Sequence, residues 1–325
     1  MSSPNLFTYA TSELSQDAFL CWLLAWADPA CAESDPALHT MGTAFVGALF
    51  RKANVEPPTI HKVEVQRQFQ SIDIVAKIND THLVAIEDKV NTVEHSDQLR
   101  RYKQLIEDKF PHLKRALVYL KAGDQSSYRS VIKDGWHTFS RKELLQILSL
   151  GEGKTGNAIF LDFKRHLAVI DQEVEAYKEY IPSTWEDRQW VGFYSALQND
   201  LPDAAWSYVS NPSGGFMGFW WGWVGITNGQ LYLQLEQEKL VIKVEVPREE
   251  HRKAVRDAWS TSVIRQVSEP RLRRPARLGN GKWMTVAVCD TYLQTRPDGM
   301  LDYAKTLDFL QKATQAVATL QTKAV

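Results

Sequence analysis

Ser71 to Tyr102 reads "SIDIVAKINDTHLVAIEDKVNTVEHSDQLRRY", and most of what can be said of this chain hangs on it. Two β-rich runs, Ser71–Ile78 and His82–Val90, flank Asn79-Asp80. Asn-Asp between such runs is a turn signal, so the two are expected to form a hairpin. Yet the runs carry Asp73, Glu87 and Lys89. Acids and lysines cost several kcal/mol to bury in a strand unless they are paired or bound to a metal.

Strand geometry suggests why they are there. Glu87 and Lys89 lie two residues apart, so they share a face. Antiparallel pairing about the turn sets Asp73 opposite Glu87 to within about a residue. The three side chains therefore converge. Two carboxylates at that spacing make a hard oxygen site suited to Mg²⁺ or Mn²⁺, with a backbone carbonyl of Asp88 or Lys89 to complete it. The lysine is a cation placed to orient or activate a water, or to offset charge on a phosphate. Phosphodiester hydrolysis has this requirement, because the scissile group is already anionic. Asp88 points to the opposite face, where a salt bridge is expected.

Outward from this stretch, "TSELSQDAFLCWLLAWAD" has helical spacing with Thr11 or Ser12 as cap, and Pro36 opens a second helix. "HKVEVQRQF" is a strand ahead of the hairpin. "HSDQLRRYKQLIEDKF" returns to helical spacing, capped by Ser96 or Asp97. "RALVYLKA" is a crossover strand, and "GWHTFS" a short strand before the helix "RKELLQIL". "LSLGEGKTGN" reads as a linker before a helix running to Ile181. Its "GEGKTG" lacks the glycine five residues before the Gly-Lys pair that a phosphate loop needs, since Leu148 stands there. His82 and His95 are expected at the surface.

The pattern Asp73-x13-Glu87-x-Lys89, in the order helix, three strands, helix, strand, resembles the PD-(D/E)XK nuclease superfamily. Ile72 stands where the motif has proline, at a position that varies in the superfamily. The resemblance implies an α/β, restriction-endonuclease-like core with Asp73 and Glu87 as metal ligands and Lys89 as the catalytic lysine. Gln98 and Tyr102 match the Gln-xxx-Tyr motif of RecB-like members, and their i, i+4 spacing puts them on one helical face to hold a substrate strand. Glu13, rather than Asp17, is taken as the helical acid that many members lean into the site. The amino-terminal segment also resembles a bacterial group of uncharacterised PD-(D/E)XK proteins. The resemblance covers about residues 5–150 and implies a Mg²⁺- or Mn²⁺-dependent nuclease acting on DNA in restriction, defence or repair.

Composition frames this reading. The 325 residues are expected to form two domains, residues 1–180 holding the nuclease and 181–325 a second, Trp-rich α+β domain. The net charge of -1, from 38 basic and 39 acidic residues, excludes a uniformly basic chain, so contact with nucleic acid must be local. The loop "RLRRPARLGNGK" is the most basic run, and Arg271, Arg273, Arg274 and Arg277 are candidate phosphate contacts. "GGFMGFWWGWVGI" either fills a core or offers a stacking platform. Cys21, Cys31 and Cys289 are not in CxxC pairs and read as reduced thiols of a cytoplasmic protein. No secretion signal or membrane-spanning run is visible. A homodimer is a possible assembly. Rival readings are a non-catalytic binding module on the same fold and a ligand-gated nuclease effector.

Overall fold

The computed structural model describes residues 4–94, 97–211 and 214–320. The chain divides into two compact units, Met1–Asp171 and Gln172–Val325.

In the first unit, helices α1 (Glu13–Ala25) and α2 (Pro36–Lys52) precede strands β1 (Val63–Phe69), β2 (Ile72–Ile78) and β3 (His82–Lys89). Then come α3 (Gln98–Lys109), β4 (Lys114–Lys121), α4 (Arg129–Lys133), β5 (His137–Ser140), α5 (Arg141–Ser149) and α6 (Ala158–Glu175). The sheet order is β1-β2-β3-β4-β5, the first three antiparallel and the last two added in parallel. Asn79 makes the β2–β3 turn in left-handed backbone, φ 54°. Its carboxamide also ties down the chain before β1, accepting from His61 and Lys62 and donating to Thr59. Asp35 caps α2 by accepting from the Ala37 and Leu38 amides. Gly42 lets α2 meet α1, because a Cβ there would lie 2.7 Å from the Leu23 carbonyl oxygen.

Both faces of this sheet are covered. Ile74, Ala76, Val84, Ile86 and Val118 pack with residues of α1, α2, α5 and α6, while Val75, Leu83, Ala85 and Tyr119 pack with Leu99, Tyr102 and Ile106 of α3. A strand buried on both faces reads as a continuous apolar run. His82 is drawn into this interior. It is buried, edge-on to Phe50 and bonded to Thr81, not at the surface as its turn position suggested. His95 and the Ser96 cap lie outside the described residues.

The stretch taken as a linker packs inside this unit: Gly151 is buried and Thr155 bonds Asp35. The division between units falls within α6, whose Phe160, Phe163 and Leu167 fill the first core. The helix stops at Glu175 rather than Ile181. A 3-10 turn at Ala176–Lys178 then buries Tyr177 in the second core, a packing demand that helical periodicity does not announce.

The second unit holds α7 (Asp187–Asp200), β6 (Ala205–Asn211), β7 (Gly214–Ile226), β8 (Gly229–Glu236), β9 (Lys239–Glu245), α8 (Glu249–Gln266), β10 (Trp283–Cys289) and α9 (Tyr303–Ala318). Its sheet is wholly antiparallel, β10-β9-β8-β7-β6, with apolar residues of all three helices in one core. Edge strand β6 was not expected, since its Ser, Asn and exposed Tyr208 dilute the strand pattern. Phe219 and Trp221 of the Trp-rich run are core residues, whereas Trp223 is half-exposed and stacks on Tyr232 at 4.2 Å. The three cysteines are free thiols, and burial pushes Cys21 up to about 11. Among the described residues no helix is long and apolar enough to cross a membrane.

Candidate active site

β2 and β3 remain paired as far as Ile74 opposite Ile86, and the site forms where the ladder ends. Lys89 is its centre. The lysine Nζ lies 2.5 Å from Glu87 Oε1, 3.6 Å from Asp73 Oδ2 and 3.0 Å from the Asp88 carbonyl oxygen. These are the acceptors that a hard cation would take, gathered here around an ammonium. Asp73 is fixed from the other side, because its Oδ2 accepts the Asp88 amide at 2.9 Å.

Glu87 is fully buried, and its Oε2 has no hydrogen-bond partner. Burial, reinforced by the Asp73 charge, pushes its carboxyl up to about 8 against the pull of Lys89. Burial also works against the charge on Lys89, but Glu87 and Asp73 outweigh it and hold the lysine above its usual range. Two carboxyls and a carbonyl gathered at one point, with a buried Glu87 oxygen left unpartnered, are donors of the kind a divalent cation takes, with Asp73, Glu87 and the Asp88 carbonyl as the set that would hold it. Among the described residues, no three His, Cys, Asp or Glu side chains cluster so as to hold a metal ion.

Helix α3 brings Gln98 and Tyr102 to the same place. Gln98 Nε2 donates to Glu87 Oε1 at 2.9 Å and to the Tyr102 hydroxyl at 3.1 Å. In this structure the glutamine orients the acid. Its buried Oε1 has no partner.

Helix α1 supplies Glu13, whose Oε1 accepts from the Val90 amide at 3.0 Å and the Thr92 hydroxyl at 2.7 Å. Burial opposes its charge, but those bonds and the nearby Lys89 and Lys121 hold the carboxyl below its usual range. Asp17 takes a different position. It joins Asp88 on the opposite face of β3, where Gln16 donates to Asp88 Oδ1 at 2.6 Å. The salt bridge expected of Asp88 is absent among the described contacts. Its neighbours on α1 are an amide and another acid, and burial drives its carboxyl well above the usual range. Burial and the Asp73 charge raise Asp17 to about 6.

Two side chains escaped sequence reading. Lys121 ends β4 in parallel register with Lys89, is buried, and donates to the Thr92 carbonyl. Burial, with Lys89 adding to it, pulls Lys121 down to about 8 against the opposing pull of Glu13 and Asp124. The sequence signal was a second lysine closing an apolar strand, but its register with Lys89 needs the crossover to be known. Gln68 donates to Asp73 Oδ1 at 3.1 Å and Asp17 Oδ2 at 3.4 Å. No pattern in the sequence points to it.

The family model for the PD-(D/E)XK nuclease superfamily matches residues 4–165. Those residues belong to that superfamily. The mixed five-stranded sheet with its flanking helices is the restriction-endonuclease-like fold, here followed by a second sheet unit. Superfamily membership indicates a nuclease, and such enzymes generally use divalent metal ions. Neither a search of curated proteins nor one of solved structures gave a match.

The candidate arginines lie in the second unit. Arg273 is bidentate on Asp290, so its charge is already countered, while Arg271, Arg274 and Arg277 are exposed.

Proposed function

We propose that this PD-(D/E)XK protein is a Mg²⁺- or Mn²⁺-dependent deoxyribonuclease. The observation that carries this reading is the meeting of Asp73, Glu87 and the Asp88 carbonyl around Lys89, inside the span that the superfamily model matches. Asp73 and Glu87 would hold the ion, which supplies Lewis acidity to the scissile phosphate. Lys89 presents its ammonium to the attacking water and to the charge that builds on the phosphate oxygens. Gln98 keeps Glu87 in one orientation, and Tyr102 steadies Gln98. Glu13 offsets the two lysines and pins the chain just beyond Lys89. The second unit is proposed to recognise substrate, bind a partner or gate the nuclease, with its exposed arginines as phosphate contacts. Resemblance to the bacterial group noted above supports a setting in restriction, defence or DNA repair.

The test is cleavage of supercoiled plasmid and linear single- and double-stranded DNA with Mg²⁺ or Mn²⁺, with EDTA as blank. Lys89→Ala and Asp73→Ala should each lower the rate by about 10²–10³ or more while remaining folded by circular dichroism. Wild type inert on every substrate with both metals rules out a constitutive deoxyribonuclease. Variants as active as wild type rule out this site.

A further inference from the structure

We infer that Gln68 is a positioning residue for Asp73, held in a disfavoured backbone conformation so that its carboxamide clamps that acid. This inference rests on the nuclease reading above. β1 and β2 pair in constant register from Val63 opposite Ile78 to Arg67 opposite Ile74, and again at Phe69 opposite Ile72. The skipped pair in that register is Gln68 and Asp73. Gln68 has left-handed backbone, φ 55°, which breaks the ladder at this one place.

The hairpin then closes through Gln70 and Ser71, at φ 48° and 73°. Such turns ordinarily use Asn and Gly, which reach positive φ at low cost. Three non-glycine residues in that region within four positions make this hairpin tip a concentration of strain. Strain of this kind persists where the surroundings hold it and gathers at functional sites.

At Gln68 the contacts show what the side chain does. Its Nε2 has two protons and meets two acids, Asp73 Oδ1 at 3.1 Å and Asp17 Oδ2 at 3.4 Å. The other oxygen of Asp73 accepts the Asp88 amide and faces Lys89. Asp73 is thus gripped at both oxygens, by β3 on one side and by Gln68 on the other. Glycine at position 68 would suit the backbone and remove the grip.

Gln68→Gly therefore separates the two roles. The melting temperature should equal or exceed that of wild type, because the left-handed position no longer carries a side chain. The kcat should fall by about tenfold or more with KM for DNA little changed. The Mn²⁺ concentration for half-saturation, read by calorimetry without substrate, should rise about 10–100-fold, as for other groups that orient a metal ligand. Gln68→Asn tolerates the backbone but is one methylene short, so it should track the glycine variant in activity.

Wild-type kcat and Mn²⁺ affinity in Gln68→Gly overturn the inference. So does a loss of activity that merely follows a lowered melting temperature. If Asp73→Ala is inactive while Gln68→Gly is not, the inference alone fails. If wild type neither cuts DNA nor binds Mn²⁺, the nuclease reading fails and this inference with it.

Discussion

The two units each build a five-stranded sheet, but they bury different things. Among the described residues, the buried polar side chains of the first are Gln16, Asp17, His82, Glu87, Asp88, Lys89, Lys121 and Arg141, all but Gln16 ionisable. Those of the second are Gln189, Gln234, Ser260 and Thr306, all neutral. Burying charge is expensive, and stability rarely requires it. The first unit therefore accepts the cost of buried charge, while the second fills its interior with aromatic rings.

The sharpest way to break this comparison is to damage the second interior. Trp221→Ala removes a fully buried ring whose Nε1 donates to Thr314 Oγ1 at 2.8 Å. Denaturant titration should show a loss of about 3–5 kcal/mol in the stability of that unit. A change below 1 kcal/mol would mean that the second core does not carry its own stability.

Next comes pH, which probes the first interior. Glu87 has a folded-state value of about 8, raised by burial from an ordinary carboxyl near 4.5. A raised acid binds a proton in the folded state that the unfolded chain has already released. The metal-free protein should therefore lose stability as pH rises from about 4.5 to about 8. Metal must displace the same proton. Apparent Mn²⁺ affinity should rise about tenfold per pH unit between pH 6 and 8, then level off. A flat profile in calorimetry would show that Glu87 is ionised throughout.

The smallest effect belongs to the surface. Arg273→Ala breaks an exposed pair and should leave the melting temperature unchanged. Arg274→Ala, which removes an exposed arginine of the same loop, lowers the salt dependence of binding by about one unit of slope if that loop touches DNA. No change in that slope would leave the second unit without this contact.

How much of this was legible follows from the range over which each feature is encoded. The β2–β3 hairpin is local, so Asn79 and period two suffice to bring Asp73, Glu87 and Lys89 together. Gln98 and Tyr102 were singled out by the resemblance to the Gln-xxx-Tyr motif, and helical spacing adds only that they share a face. Lys121 could not be placed, because parallel pairing across a helix carries no register signal. Gln68 was hidden for the opposite reason. Its position depends on a hairpin whose turn residues, Gln70 and Ser71, are not the Asn and Gly that announce a left-handed turn. His82 sat beside a turn signal, but its neighbour in space, Phe50, is far away in sequence. β6 was lost in a polar edge.

One letter of the motif has a consequence for how this lineage can drift. The residue between Glu87 and Lys89 is conventionally written x, as if any side chain would serve. Here x is Asp88, fully buried, holding the Gln16 amide on one oxygen and crowded by Asp17. A change at 88 alone leaves the buried Gln16 amide without that acceptor. Relatives sharing this packing should exchange positions 16, 17 and 88 as a set, so the motif's free letter is inherited together with a helix more than seventy residues upstream.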